Sequence, residues 1–272
     1  MRAAAHRAAH QVIEQGRVFA DPLALPVLGA SIEAVFGEEL ARPATRGMRL
    51  MIAARSRFAE ESLAAAVARG VRQYVLLGAG LDTFAHRNPF ADVGLRVFEI
   101  DHPATQDWKR ARLAEAGLTA PASLTSAPVD FERQTLAGGL AAAGFDAARP
   151  AVFAWLGVVV YLTRAVVIET LRFIGSLPAG TEVVFDYGVP LSDYAPAQRA
   201  LHARRMARVA ARGEPWITRF APAEIAAELA ALGFDELEDL GPAEISHRFL
   251  GANRPDGPGA HLMRAARRAT PA

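Results

Sequence analysis

Apolar residues in this chain occur in short runs, separated by segments with a helical period. Five of these runs predict buried strands, because short continuous apolar stretches suit strands that are covered on both faces. They lie at residues 74–77, 96–100, 124–129, 151–155 and 182–185, and two further strands are predicted at 236–240 and 261–266. Strands alternating with helices predict an α/β chain with a mostly parallel sheet, in which we expect the last strand to run antiparallel.

The segments outside these strands predict helices. A proline near the first turn favours the helix at residues 23–28. Apolar residues at a helical period favour the helix at residues 44–69. The helices that we expect cover residues 2–15, 23–28, 44–69, 192–211 and 221–232. Residues 253–259 are rich in proline and glycine, which predicts a surface hairpin between the last two strands.

A glycine turn follows the first strand. Gly78-Ala79-Gly80 lacks large side chains, so a ligand can approach the backbone closely. Asp101 ends the second strand, 21 residues after Gly80. At that spacing a strand-turn-helix-strand unit places a carboxylate against the ribose hydroxyls of a nucleoside. The alternative is that Asp101 caps the helix that follows it. Glu99 shares its face of the strand and is either a partner or a support.

The glycine pattern alone is weak, because glycine pairs are common in tight turns. The third glycine of the dinucleotide pattern is absent, since Thr83 occupies that place. The sequence therefore lacks the glycine that lets a helix pack closely beneath a pyrophosphate, which argues against NAD. An NAD-dependent oxidoreductase stays open as an alternative, because it shares Gly78, Gly80 and Asp101.

Composition excludes several kinds of chemistry. The chain has 30 basic and 29 acidic residues, a net charge of +1, so no bulk field attracts nucleic acid or an anionic membrane. It has no cysteine, which excludes disulfides, a thiol nucleophile and thiolate metal ligands. Metal ligands would have to come from His, Asp or Glu, and we predict no metal site.

The chain also lacks the pattern of a membrane or exported protein. Its longest apolar stretch, residues 151–162, has twelve residues, too few to cross a bilayer. The amino-terminal segment is basic and alanine-rich without a hydrophobic signal core. We therefore expect a cytoplasmic protein with no membrane or nucleic-acid partner.

Six motifs occur in a fixed order along the chain: RSRFAEESL, VLLGAGLDTFAHR, VFEIDHPATQDWK, VDF, FAWLGVVVYLT and VVFDYGVP. Together they resemble the leucine carboxyl methyltransferase family, in its bacterial branch of S-adenosylmethionine-dependent methyltransferases. The resemblance is strong over residues 55–190. It implies a Rossmann-like, seven-stranded, mostly parallel sheet with helices on both faces and a helical cap. It also implies S-adenosyl-L-methionine as the cofactor.

The resemblance implies roles for residues at the strand ends. The backbone of Gly78-Ala79-Gly80 would approach the methionine portion and the sugar, and Asp101 would bind the ribose. Asp130 would accept a hydrogen bond from the adenine amine, and Phe131 would cover the ring or donate its backbone N–H. Without the resemblance, Asp130 is a loop residue and Phe131 a core residue.

For other candidate cofactor contacts, the sequence leaves more than one role open. Arg55 or Arg57 lies where the family's carboxylate-binding arginine is expected, since a guanidinium suits that bidentate contact; a surface arginine on a helix is the alternative for each. Asp82 either holds the turn or reaches the cofactor's amino group. Thr83 is a candidate helix cap.

The fourth strand departs from the family pattern. In the family that the motifs resemble, the eukaryotic enzymes and many bacterial members have a glutamate there, before a small residue and an apolar run that leads to a tyrosine. This chain has Leu156 at that position. A carboxylate contact to the cofactor is therefore lost. Trp155, or the backbone near Gly157, is expected to supply stacking and hydrogen bonds instead.

The acceptor decides whether a base is needed. A carboxylate is already anionic near neutral pH, whereas a hydroxyl needs a base within hydrogen-bond reach. Candidates for that role are Tyr161, Tyr187 and His202, none of which is assigned by spacing. We therefore expect methylation of a carboxylate or hydroxyl on a small molecule or chain terminus. A cofactor-binding sensor without turnover and a purely structural interaction domain are the alternatives, and the oligomeric state is open.

The expected organisation is a single methyltransferase domain, residues 1–272. Its parts are a helical cover at 1–70, a cofactor-binding core at 71–190, a cap insertion at 191–215, and the last helix and strands at 216–272. Residues 1–37 and 192–212 carry surplus arginine and no strand pattern. We expect them to form a mobile cap, hinged at Gly213-Glu214-Pro215, because a cleft at the strand ends needs a lid to exclude water.

Overall fold

The computed structural model describes residues 2–29, 43–130, 134–211, 213, 215–254 and 256–268, and of residues 2, 43 and 44 the backbone only. The strands are β1 Gln73–Leu77, β2 Arg96–Asp101, β3 Leu124–Pro128, β4 Val152–Trp155, β5 Glu182–Gly188, β6 Glu236–Leu240 and β7 Ala260–Ala266. The α-helices are α1 Arg2–Ile13, α2 Ala24–Leu28, α3 Pro43–Ala68, α4 Pro103–Glu115, α5 Leu136–Ala142, α6 Arg164–Ser176, α7 Pro196–Ala210, α8 Pro222–Ala231 and α9 Pro242–Leu250. Short 3₁₀ turns lie at Phe84–Arg87, Val159–Tyr161 and Leu191–Asp193.

The strands form a seven-stranded sheet in the order β3-β2-β1-β4-β5-β7-β6. β1 pairs in parallel with β2 and β4, and β2 pairs in parallel with β3. β7 runs antiparallel to both β5 and β6. The predicted α/β class and the antiparallel last strand are confirmed. By contact, the chain divides into two compact units, Met1–Ala154 and Trp155–Ala272.

The first unit is built on β1. All five residues of this strand are buried, because helices cover both faces of a central parallel strand. The ring of Tyr74 packs edge-on against Phe84, with centroids 4.8 Å apart. Phe58 from α3 and Phe98 from β2 are fully buried. This packing fixes the end of β1, from which the glycine turn leaves.

Buried polar contacts fix α1 within this unit. The Nε atom of Arg7 lies 2.7 Å from the Asp21 carboxylate, and Asp21 is fully buried. Nη2 of Arg7 donates to the Leu81 carbonyl, just past the glycine turn. The His10 ring is buried, and its Nε2 accepts the backbone N–H of Val18 at 3.3 Å. α1 is therefore anchored to the turn and does not resemble a loosely held lid.

The second unit contains an element that the sequence analysis missed. Residues 253–259 were expected to form a hairpin between the last two strands, but α9 lies within that connection. Pro242 occupies its first turn and Glu244 follows in the same turn, which are ordinary signals of a helix start. The hairpin prediction was wrong because it relied on the proline and glycine cluster that follows the helix.

None of the helices in the described ranges is long and apolar enough to cross a membrane.

We expect amide hydrogen exchange to separate the two parts of the predicted cap, of which residues 30–37, 212 and the hinge residue Glu214 lie outside the described part of the chain. Amides of α1 should be protected about as well as those of β1, because the contacts of Arg7 and His10 are buried. Amides of α7 should exchange faster, since Val209 is the residue of that helix that is buried. Mass spectrometry of the free protein checks this. Equal, rapid exchange in both helices would mean that α1 is part of a mobile cap after all.

Candidate functional site

The backbone turn after β1 requires glycine. Gly78 has φ 68° and Gly80 has φ 46°, in the left-handed region that side chains rarely adopt. The N–H groups of Gly78 and Ala79 donate to the Ile100 carbonyl at 2.8 and 3.2 Å. The nearest atom to a Cβ placed on Gly80 would be the Gly78 carbonyl oxygen, 4.0 Å away. The turn is therefore fixed to β2 from below, and space is left beside Gly80 for a ligand.

Asp101 lies directly against this turn. Its Oδ2 accepts the N–H of Gly80 at 2.7 Å, and its Oδ1 accepts the N–H of His102 at 2.7 Å. Each carboxylate oxygen accepts more than one hydrogen bond, so both oxygens retain a lone pair for a ribose hydroxyl. The capping alternative was wrong, because His102 caps α4, with its Nδ1 accepting the Ala104 N–H at 3.2 Å.

Asp82 and Thr83 follow the glycines of the turn. Asp82 has one of its two expected roles, whereas Thr83 does not have the expected role of a helix cap. Asp82 Oδ1 accepts the N–H of Phe84 at 2.7 Å, so Asp82 holds the turn, as one of the two alternatives proposed. Thr83 makes no capping hydrogen bond, and the element after it is a single 3₁₀ turn. The Thr83 hydroxyl instead donates to Asp21 at 2.8 Å, where both residues are fully buried.

Ion pairs surround the glycine turn. Besides Arg7 and Asp21, the Arg87 guanidinium binds Glu60 on α3, with Nη1 2.9 Å from Oε2. Arg87 Nε also donates to the Thr83 hydroxyl at 3.1 Å. Sequence reasoning missed these residues, since their partners lie far away along the chain. Their pairing gives the turn a rigid support.

A third ion pair lies beneath Asp101. Lys109 of α4 contacts Glu99 of β2, with Nζ 2.7 Å from Oε2, and both side chains are buried. Burial raises the pKa of Glu99, and the positive charge of Lys109 partly opposes that shift. Glu99 therefore supports the site, which was one of its two expected roles. Its side chain pairs with Lys109.

The charge balance at the turn favours an ionised Asp82. Burial by itself would raise the pKa of this carboxyl, but the charges of Arg7, Lys109 and Arg87 outweigh it, and the pKa lies below its usual value. Arg7, Arg87 and Lys109 each have a closer acidic partner than Asp82. Asp82 and Asp101 thus add negative charge beside the turn.

His86 also lies next to these charges. Both ring nitrogens are buried and have no hydrogen-bond partner within the described part of the chain. Burial and the charge of Lys109 lower the pKa of His86, so its ring is neutral near neutral pH. It adds no positive charge to the turn.

Asp130 lies at the same end of the sheet as Asp101. The N–H of Val129 donates to the Asp101 carbonyl at 3.0 Å, which places Asp130 one residue beyond a direct contact with β2. The side-chain oxygen of Gln134 accepts the Asp130 N–H at 3.1 Å. Phe131, the other expected adenine contact, lies outside the described residues.

Arg55 and Arg57 extend from different sides of α3, because residues two positions apart on a helix do not share a face. Arg57 Nε lies 2.7 Å from Glu61, and its side chain is 43% exposed. Arg55 is partly buried. A single cofactor carboxylate would therefore meet one of the two, and the choice between them stays a prediction.

In the second unit, the turn after β4 has a similar construction. Gly157 has φ 73°, and its N–H donates to Asp186 Oδ1 on β5 at 2.5 Å. Trp155 is 3% exposed, and Leu156 is partly buried. An aspartate on the next strand thus holds this turn, as Asp101 holds the turn at Gly80. The sequence signal for that role was an acid beside a strand end, which Asp186 provides.

The three candidate bases have different surroundings. Tyr161 is 36% exposed, on a 3₁₀ turn. The Tyr187 hydroxyl donates to Asp239 at 2.6 Å, and Asp239 also contacts His261 at 3.0 Å. Burial first, and then Asp239, raises the pKa of Tyr187 far above its usual value, so this hydroxyl keeps its proton near neutral pH and does not act as a base. The pKa of His202 is lowered by burial and by nearby arginines.

His6 and His10 are four residues apart on α1, a spacing that suits metal ligands, but His10 contacts other groups of the protein. Its Nδ1 lies 3.1 Å from Glu14 Oε2, and its Nε2 accepts a backbone N–H. Within the described ranges, no group of three or more His, Asp or Glu side chains is arranged to hold a metal ion.

Known proteins provide an independent comparison. The family described as leucine carboxyl methyltransferase matches residues 1–175. YktD of Bacillus subtilis, which carries the name of an S-adenosyl-L-methionine-dependent methyltransferase, is 38% identical over 209 residues, 75% of this chain and 66% of YktD. A Frankia alni protein named for the same activity, FRAAL3718, is 36% identical over 168 residues, 60% of this chain and 58% of the relative. The chain thus spans less than two thirds of these relatives' own length.

Two solved structures are similar in fold. A DUF574-family protein from Streptomyces avermitilis has a TM-score of 0.55 and 17% identity, with coverage of 98% of this chain and 97% of that one. The S-adenosylmethionine-dependent methyltransferase SibL has a TM-score of 0.52 and 16% identity, with coverage of 98% and 70%. At these identities the likeness concerns the fold alone, and it confirms the Rossmann-like prediction.

The family and S-adenosyl-L-methionine as its cofactor, both predicted from the motifs, are confirmed by the family match and the relatives' names. The NAD-dependent alternative and the purely structural domain are set aside on the same grounds. The chain belongs to the leucine carboxyl methyltransferase family.

Proposed function

We propose that this protein transfers a methyl group from S-adenosyl-L-methionine to an oxygen atom of a small molecule or a chain terminus, with a carboxylate as the favoured acceptor. The observation that carries the proposal is the position of Asp101 on the Gly80 N–H, at 2.7 Å. This contact sets an aspartate side chain beside an open glycine turn, where a ribose would be bound. The relatives' names support the same cofactor.

The charges at the turn fit that cofactor. S-adenosyl-L-methionine has a sulfonium, an ammonium and a carboxylate, and thus a net positive charge at neutral pH. Asp82 and Asp101 provide negative charge beside the turn, and the neighbouring Arg7, Arg87 and Lys109 are each paired with another acid. Asp101 would bind the ribose hydroxyls, and Asp130 the adenine amine.

When bound, the cofactor would supply a methyl group carried on a positively charged sulfur. An oxygen nucleophile would attack the methyl carbon in line with the carbon–sulfur bond, so that an oxygen–carbon bond forms as the carbon–sulfur bond breaks and S-adenosylhomocysteine leaves. Proximity, alignment and exclusion of water then account for most of the rate. The protein's residues have to hold the acceptor oxygen in line and keep its surroundings dry. No proton transfer is needed if that oxygen belongs to a carboxylate.

A carboxylate acceptor agrees with the state of the candidate bases. Tyr187 is protonated and donates to Asp239, so its hydroxyl is not placed to remove a proton. Tyr161 is exposed to solvent. His202 is neutral near neutral pH and is the candidate that a hydroxyl acceptor would require.

A cofactor-binding sensor is the second candidate function, and Leu156 favours it. This residue stands where the resemblance to the family leads us to expect a glutamate, so no carboxylate is present at that position. The Gly157 turn is nevertheless held by Asp186 at 2.5 Å, which keeps its backbone in a fixed position. The experiment below separates the two candidates.

We expect labelled methyl groups to be transferred to carboxylic acids. The protein would be incubated with S-adenosyl-L-methionine carrying a labelled methyl group and with matched pairs of carboxylic acids and phenols. A methyl ester releases labelled methanol in mild base, whereas an aryl methyl ether does not. Base-labile product with an equal amount of S-adenosylhomocysteine is the expected result.

The other outcomes are distinct. Base-stable product would assign a hydroxyl acceptor and would direct attention to His202. Saturable cofactor binding without transfer to any acceptor would favour the sensor. Asp101→Asn should abolish transfer at low cofactor concentration in the first two cases, which controls for a contaminating enzyme.

A further inference from the structure

Two different parts of the chain hold the turn after β1. Its first half, Gly78-Ala79-Gly80, is bonded to the Ile100 carbonyl and the Asp101 carboxylate, both of β2. Its second half, residues 81–83, contacts residues 2–29, which are called the amino-terminal segment below. All of these residues belong to the first unit. A ligand bound at the glycines therefore lies next to backbone whose position the amino-terminal segment helps to set.

Leu81 is enclosed by the amino-terminal segment. Its side chain is 6% exposed and belongs to an apolar cluster with Ala4 of α1 and Val27 of α2. Its backbone carbonyl accepts a hydrogen bond from Nη2 of Arg7. Because Leu81 directly follows Gly80 in the chain, a shift of Leu81 would move the backbone of the glycine as well.

Thr83 and Asp21 form a buried link between the turn and the amino-terminal segment. The Thr83 hydroxyl donates to Asp21 Oδ1 at 2.8 Å, and both residues are fully buried. The same Oδ1 accepts the backbone N–H of Leu23, just before α2, at 3.2 Å, and Oδ2 lies 2.7 Å from Nε of Arg7 on α1. A buried carboxylate is costly unless it is paired and hydrogen-bonded. One carboxylate thus joins α1, α2 and the turn.

Arg87 strengthens this link. Its Nε donates to the Thr83 hydroxyl at 3.1 Å and lies 3.6 Å from Asp21 Oδ1. Its Cζ atom lies 4.9 Å from the centre of the Phe19 ring, which belongs to the amino-terminal segment. The Thr83 oxygen is therefore both a donor and an acceptor, and a valine of the same shape would break both hydrogen bonds.

We propose that Thr83 and Asp21 are positioning residues for S-adenosyl-L-methionine, because the hydrogen bond between them makes cofactor affinity depend on the amino-terminal segment. Neither residue has to touch the cofactor. Together they fix the backbone that follows Gly80, whose N–H binds Asp101. The inference rests on the cofactor of the family and not on oxygen methylation, so binding of S-adenosylhomocysteine decides it whatever the acceptor is.

The test titrates the whole protein with S-adenosylhomocysteine by calorimetry. Thr83→Val keeps the shape of the side chain and removes the hydroxyl, and should weaken binding about threefold or more, the usual effect of losing one buried hydrogen bond. Thr83→Ser keeps the hydroxyl and removes the methyl group, and should bind about as tightly as the unmodified protein. An equal loss in both variants would overturn the proposal, because the hydroxyl would then not be the group that matters.

Arg49→Gln is the matched control for a loss of stability. Arg49 is 3% exposed, and its Nη2 lies 2.6 Å from Oε1 of Glu14, just after α1. This pair fastens the amino-terminal segment to α3 and includes no residue of the turn. Arg49→Gln should lower the urea midpoint and leave the affinity for S-adenosylhomocysteine unchanged. If it weakens binding as much as Thr83→Val, any loosening of the segment has that effect, and the assignment to Thr83 and Asp21 is refuted.

Val27→Ala tests the same proposal without changing a polar group. Val27 is 1% exposed and belongs to the cluster around Leu81, so alanine leaves a cavity on the segment's side of the turn. We expect S-adenosylhomocysteine to bind about twofold or more weakly, which corresponds to a small part of the usual cost of a cavity. Circular dichroism and the urea midpoint show that each variant is folded. A lowered midpoint with unchanged affinity would mean that the turn does not depend on the segment, and the proposal would fail.

Discussion

Lys109→Met should lower the free energy of unfolding by about 3–5 kcal/mol, the usual cost of removing one partner from a buried ion pair. Lys109 is 3% exposed and Glu99 is 2% exposed, and their charged atoms are 2.7 Å apart. Methionine has a similar length, so packing is largely kept. What remains is a buried carboxylate without its cation, which must either stay charged in an apolar place or take up a proton.

Denaturation in urea measures the loss, provided that the slope against urea concentration is unchanged. The double variant Lys109→Met with Glu99→Leu is the matched control. Because replacing a buried ion pair with apolar residues is often neutral, the double variant should recover most of the lost stability. A double variant that is as unstable as the sum of the two single variants would show that the ion pair is not what matters.

The strands and the glycine turn were predictable because their causes are local. A buried parallel strand needs a continuous apolar run, and a tight ligand turn needs glycine, so residues 73–101 alone indicate both. β2, for instance, begins at Arg96 as expected and ends one residue later, at Asp101. In the parallel pair of β1 and β2, Leu77 lies beside Ile100, and this register places Asp101 beside Gly80.

The supports of the site were not predictable because their partners are distant in sequence. Thr83 is 62 residues from Asp21, and Arg7 is 74 residues from the carbonyl of Leu81. A single sequence shows that these residues are polar, but not that they meet in the interior. Thr83 was therefore predicted to cap a helix, which is the common local role of threonine before a helical turn. In the folded protein its hydroxyl instead donates to the distant Asp21.

Local alternatives of equal strength caused the remaining errors. Asp101 and His102 both precede Pro103, and either could have capped α4; in the structure His102 caps it, which leaves Asp101 to the turn. At α9, the Pro242 signal competed with the proline and glycine residues that follow the helix. In both places adjacent residues offered two structures, and long-range packing decided between them.

Asp101→Ala should weaken S-adenosylhomocysteine about tenfold or more, because hydrogen bonds from the ribose to a charged acid contribute about 1.5–3 kcal/mol. The carboxylate also accepts the N–H groups of Gly80 and His102, so alanine would disturb the turn as well. Asp101→Asn separates the two effects, because its carbonyl oxygen still accepts one N–H while the negative charge is lost. We expect the asparagine variant to retain most of the stability and to lose most of the affinity.

Titration calorimetry measures the affinity, and urea denaturation measures the stability. Asp107→Ala is the matched control, since Asp107 is an aspartate of the adjoining helix α4 with 70% of its side chain exposed, and it should change neither quantity. If Asp101→Asn binds S-adenosylhomocysteine as tightly as the unmodified protein, the negative charge does not bind the ribose. The role of Asp101 would then be limited to holding the Gly80 turn, and recognition of the cofactor's sugar would have to come from the backbone of the turn itself.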